Sequence, residues 1–133
     1  MKNKLLEEYV KEFEVDVELD DFNIKEVQQK LPAVKHKWVG RLMRHKQELH
    51  QLEARKDNVM DDVAEDLRKS DVIKITKPQA IEASKRHARV IEIANQIKDI
   101  KIVIEYLEKG ERVLNSMSYD IKNIVTIMQL ETL

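Results

Sequence analysis

The sequence predicts an all-α protein of long amphipathic helices with coiled-coil-like packing, broad enough in its apolar stripes to favour assembly of several copies. Three observations carry the helical part. Gly and Pro total four residues in 133 (Gly40, Gly110, Pro32, Pro78), so few positions can stop a helix. Charged residues reach 37% and aromatics only 5%, a composition of solvated helices. Apolar residues recur at steps of three and four over stretches longer than an ordinary helix.

Leu5, Leu6, Tyr9, Val10 and Phe13 share one helical face, which predicts a short helix over 3–13. Val15, Val17 and Leu19 alternate with Asp16, Glu18 and Asp20, which predicts a short extended piece. Asp20 or Asp21 then caps a helix carrying Phe22, Val27 and Leu31, because a carboxylate accepts from the free N–H groups of a first turn. Pro32 fits the first turn of a new helix, where its missing N–H costs nothing. A continuous kinked helix from about residue 22 is the alternative. From Pro32 the seam runs Val34, Trp38, Leu42, His45, Leu49, Leu52, Lys56, Val59, Val63, Leu67, heptad-like almost throughout, and predicts a helix reaching Lys69. Gly40 lies inside it at a cost of about 1 kcal/mol relative to Ala.

Ser70 and Asp71 mark a break, with Val72, Ile73 and Ile75 as a short extended connector. Thr76 and Pro78 signal the next helix start. Ile81, Ala88, Ile91, Ala94, Ile97, Ile100, Ile104 and Leu107 give that helix its stripe. Ile93, Ile102, Val103 and Tyr106 widen the stripe beyond a two-strand seam, which implies burial on two sides. Gly110 ends or kinks this helix, and periodicity then continues to Leu130. The expected organisation is an acidic arm or small helical subdomain at 1–31, followed by a long-helix domain at 32–133 for DNA binding and oligomerisation. Ile97, Ile100, Ile104, Leu107, Leu114, Ile121, Ile124 and Met128 are the expected subunit-packing residues.

Net charge is −1, but the charge is segregated. Residues 1–29 carry −5 and residues 30–56 carry +6; 57–71 carry −4, 72–91 carry +4 and the remainder −2. A near-neutral total therefore hides two basic islands. On a helix, Lys37, Arg41, Arg44 and Arg55 fall on one side, about a quarter turn from the apolar seam. Such a stripe attracts phosphates through Coulomb forces and counterion release, without reading bases. The candidate phosphate-binding residues are Lys35, Lys37, Arg41, Arg44, Lys46, Arg55, Lys56, Arg68, Lys69, Lys85 and Arg89. The competing reading is a solvated face whose bases meet acidic blocks of another helix or subunit. Trp38 sits in the apolar register and reads as a core residue; stacking on an unpaired base is its alternative role. An acidic N-terminal arm that shields the basic stripe is a third idea.

Enzyme signatures are missing. Two glycines cannot build a phosphate loop, no HExxH or Glu-x-x-His pair occurs, and no serine sits in a nucleophile elbow. His45 and His50 are five apart and do not share a helical face, so no metal is expected. No cofactor is expected either. The absence of cysteine excludes disulfides, and charges interrupt every apolar run well before membrane-spanning length. The acidic N-terminus has no signal core, and an intracellular protein is expected.

Leu6-Glu7-Glu8, Asp16-Val17-Glu18-Leu19-Asp20, Lys37-Trp38, Leu52-Glu53-Ala54 and Tyr119-Asp120-Ile121-Lys122-Asn123-Ile124 resemble, in order and spacing, the UvsY family of recombination mediators of T-even-like bacteriophages. The resemblance runs from near residue 3 to the end of the chain. It implies a helical, non-enzymatic protein that binds single-stranded DNA and forms rings of six or seven subunits, with C-terminal helices driving assembly. It implies two protein partners, the phage recombinase and the phage single-strand-binding protein, and a place in the host cytoplasm. The family's central basic pair has no counterpart, since Asp61 and Val63 occupy the matching positions. The resemblance therefore moves the expected DNA path towards the 35–56 stripe.

Overall fold

The computed structural model describes residues 3–70 and 74–132. Four helices follow one another, α1 (Lys4–Asp16), α2 (Ile24–Ser70), α3 (Lys77–Ser84) and α4 (Ala88–Glu131). The all-α expectation holds. By their packing the residues form two units, Met1–Arg44 with Val103–Leu133, and His45–Ile102.

In the first unit, Asn3 caps α1 by accepting from the Leu6 N–H at 3.1 Å. The helix runs three residues past the expected end, so Val15 and Asp16 are helical rather than extended. The reason is tertiary, because Asp16 must face α2, as described below. The Val17 N–H closes the last turn onto the Phe13 carbonyl at 3.0 Å. Asp20 does not cap α2, which starts only at Ile24; it accepts from the N–H groups of Phe22 (2.7 Å) and Asn23 (2.9 Å) and so closes the turn ahead of that helix. Asn23 completes the loop by accepting from Asp20 N–H at 2.8 Å and donating to the Glu18 carbonyl at 3.0 Å. The capped loop leaves Phe22 fully exposed.

Pro32 does not start a helix; α2 runs straight through it, which realises the continuous alternative. An interior proline costs about 3 kcal/mol. Leu31, Trp38 and Leu42 are all buried on one face of this segment. At about 1.5–3 kcal/mol for each large apolar side chain, their burial outweighs the lost hydrogen bond. The rest of this core comes from Phe13, Ile24, Val103, Ile104, Leu107, Leu114, Met117 and Ile121. Gly110 neither ends nor breaks α4. It is buried, and a Cβ there would lie 3.2 Å from Cε2 of Phe13, so a methyl would have to push that ring by a few tenths of an ångström. Gly40 has open space where its side chain would be, and no close helix crossing explains it.

In the second unit, Val63, Ala64, Ala80, Val90, Ile93 and Ile97 form the core. Thr76 and Gln79 make a reciprocal capping box at the start of α3, with Pro78 in its first turn, as the sequence signals. The expected single helix through 107 is instead divided. The turn at 85–87 separates α3 from α4, with Arg86 N–H on Ala83 O at 3.1 Å and His87 N–H on Ser84 O at 3.0 Å. His87 Nδ1 accepts from the Arg89 N–H at 3.2 Å and caps α4. No glycine or proline marks this turn, so the sequence pattern runs across it. The expected connector residues Val72 and Ile73 lie outside the described residues.

Candidate nucleic-acid interface

The basic stripe begins in the first unit with Lys37, Arg41 and Arg44 on α2, and α1 decides what happens to it. The aromatic residues come first. Trp38 is only 2% exposed, and its ring meets Tyr9 (centroids 5.6 Å apart) and Phe13 (5.3 Å) edge to face. Phe13 in turn meets Tyr106 at 6.0 Å. Such pairs add about 0.5–1.5 kcal/mol each beyond area burial. Trp38 is therefore a core residue, and its ring faces are not offered to a base.

This packing brings the acidic face of α1 onto the bases of α2. Asp16 Oδ2 accepts from the Trp38 indole N–H at 2.8 Å and from Lys37 Nζ at 2.5 Å. Glu12 holds Arg41 in an ion pair, with a second contact at 3.3 Å, and Lys37 lies 3.7 Å from the same carboxylate. Arg41 also stacks its guanidinium 4.8 Å from the Trp38 ring centroid and 5.0 Å from that of Tyr9. Two of the expected phosphate contacts are thus engaged within the chain. Arg44 differs, because it is exposed and, among the described residues, donates only to the Gly40 carbonyl of its own helix, at 3.4 Å. Lys35 is half-buried on the other flank of the seam.

In the second unit, Arg55 is exposed and Lys56 half-buried, and neither is ion-paired to a described residue. Lys46 is half-buried and has a partner of its own. At the end of α2, Lys69 pairs with Glu65 at 3.0 Å, which holds its proton above the ordinary lysine range through a hydrogen bond and then charge. Arg68 is exposed and unpaired among the described residues. Lys85 pairs with Glu82 at 3.0 Å, while Arg89 is exposed. The candidate bases are therefore not one continuous free stripe. The sequence offered the −5 block at 1–29 as a shield for the +6 block but did not single out Glu12 and Asp16 as the partners.

Most of the expected subunit-packing residues lie inside the chain's own cores. Ile97, Ile104, Leu107, Leu114 and Ile121 are buried, Ile100 and Ile124 half-buried, and Met128 is 37% exposed. The outward apolar residues of the last third are Val113, Tyr119, Ile127, Met128 and Leu130. Among the described residues no helix is long and apolar enough to cross a membrane. No group of three or more His, Asp or Glu among them is placed to hold a metal ion.

No family model matches the chain, and no curated protein matches it in sequence. Its fold is that of a solved protein. Two crystal structures of the recombination mediator protein UvsY of bacteriophage T4 superpose on it at 17% sequence identity. One gives a TM-score of 0.81 and covers 98% of this chain and 99% of that one; the other gives 0.79 and covers 99% and 98%.

Proposed function

We propose that this chain is a non-enzymatic recombination mediator, which binds single-stranded DNA and helps load a recombinase onto strands covered by single-strand-binding protein. The observation that carries the reading is the fold match to the T4 mediator over nearly the whole of both chains. The chemistry agrees with it. Arg44 in the first unit, and Arg55, Lys56, Arg68 and Arg89 in the second, are cations that no described acid claims. They bind phosphates by counterion release, and a homo-oligomeric ring of six or seven copies multiplies weak contacts. The outward apolar residues of α4 are the surface left for subunit packing. Recombinase and single-strand-binding protein are the expected protein partners, in the host cytoplasm.

The test is titration of a fluorescent oligo(dT) across 50–200 mM salt. Wild type should bind, with affinity falling steeply as salt rises. Arg44→Ala/Arg55→Ala should lower the log–log slope by about 1.4 for each chain touching the strand, at ~0.7 per phosphate contact. A wild-type protein that ignores the oligonucleotide, or that fails to stimulate the recombinase on covered strands, sinks the reading.

One observation favours a second reading, a structural adaptor without DNA contact. Lys37 and Arg41 already meet acids of their own chain, and the remaining bases would then meet acids of neighbouring subunits. Under that reading the double variant changes the assembly's mass and leaves DNA affinity alone.

A further inference from the structure

The second unit contains a cleft of about 670 Å³ between the end of α2, the residues ahead of α3 and the start of α3. That volume lies mid-range for pockets that take small organic ligands. Two kinds of surface meet in it. Arg68, Lys74 and Lys77 line it, each exposed and without an ion pair to a described residue. Lys77 is also the first residue of α3, so the positive end of that helix adds to its charge. The apolar wall is the half-buried Ile75, backed by Ala64, which is only 4% exposed.

The cleft also holds two carboxylates, and they are not equivalent. Glu65 is neutralised by Lys69 at 3.0 Å, so this pair adds no net charge. Asp61 is exposed and has no ion pair to a described residue. Among the described residues, three cations without an ion pair therefore stand against one such acid. Cations beside an apolar wall are what a single strand needs, because each nucleotide brings a charged phosphate and a flat apolar base. A duplex hides its base faces and has no use for the wall.

We propose that this cleft is a seat for a short stretch of single-stranded nucleic acid. Phosphates lie against Arg68, Lys74 and Lys77, and a base lies against Ile75. The proposal rests on the single-strand-binding reading above and places its main contact away from Lys37 and Arg41, where α1 holds the bases.

The experiment uses the full chain, fluorescent oligo(dT) and a range of salt. Arg68→Ala/Lys74→Ala/Lys77→Ala should lower the log–log slope by about 2 for each chain engaged. Over a fourfold rise in salt, the variant then loses roughly 18-fold less affinity than wild type. Asp61→Asn removes a like charge facing the phosphates and should tighten binding about fivefold at low salt. A gain of this kind cannot come from misfolding, so it guards against a triple variant that fails to fold. If wild type binds while the triple variant keeps its helicity, mass and slope, the cleft is not the seat. An Asp61→Asn protein that binds no tighter than wild type overturns the phosphate placement. A wild type that does not bind at all defeats the parent reading instead.

Discussion

Asp16→Ala isolates the interaction that seats α1 on α2. Asp16 is 18% exposed at its side chain and serves two donors, the Trp38 indole N–H at 2.8 Å and Lys37 Nζ at 2.5 Å. The two are not worth the same. The indole belongs to a residue 2% exposed, and a buried donor left without its acceptor costs about 1–3 kcal/mol. Lys37 keeps 35% of its side chain in solvent, so its ion pair is worth only about 0–1 kcal/mol. The expected loss is about 2 kcal/mol, most of it from the indole. With a urea dependence of ~2 kcal/mol per M, the midpoint falls by roughly 1 M. Trp38 is the only tryptophan, so its fluorescence reports the perturbed contact directly. Asp16→Asn keeps an acceptor without the charge and should lose less than ~1 kcal/mol. Lys37→Ala should also lose no more than about 1 kcal/mol. If Lys37→Ala costs as much as Asp16→Ala, the ion pair is the stronger contact, and ranking the buried hydrogen bond first is wrong.

The two glycines should respond in opposite ways. Gly40→Ala enters open space on a helix and should stabilise by about 1 kcal/mol in urea melts. Gly110→Ala forces a methyl to 3.2 Å from a Phe13 ring already boxed by Trp38 and Tyr106, so the propensity gain is cancelled or reversed. Burial, and then the charge of Glu14, raise the pKa of Tyr106. The folded chain therefore holds the phenol proton longer than the unfolded chain. That contribution is complete below the ordinary tyrosine value near ~10 and is lost as pH climbs through the higher folded value. Tyr106→Phe has no such proton to lose, so its stability should fall less steeply than wild type above pH ~10; an unchanged slope assigns the alkaline loss to other groups.

What the sequence made legible was periodicity, and what it hid was pairing between elements. Trp38 could be placed in the core because it keeps step with Leu42 and Leu49, and the capping box at Thr76 could be read from residue types alone. Pro32 misled because a local penalty of about 3 kcal/mol competes with burial that no local rule counts. The turn at 85–87 was invisible because the ends of α3 and α4 are met by backbone bonds and by His87, not by glycine or proline. The ion pairs of the first unit bridge 21 residues from Asp16 to Lys37 and 29 from Glu12 to Arg41, beyond any helical period. The same pairs bear on the acidic arm as a detachable shield. Were α1 held by charge alone, DNA phosphates could displace it by exchanging one set of anions for another. But α1 also carries Phe13 and Tyr9 against Trp38, and lifting it away exposes that aromatic cluster to water. Each large side chain so exposed costs about 1.5–3 kcal/mol, more than the screened ion pairs return. The acidic helix is therefore part of what folds the first unit, and not a charge-held cover over the basic residues of α2.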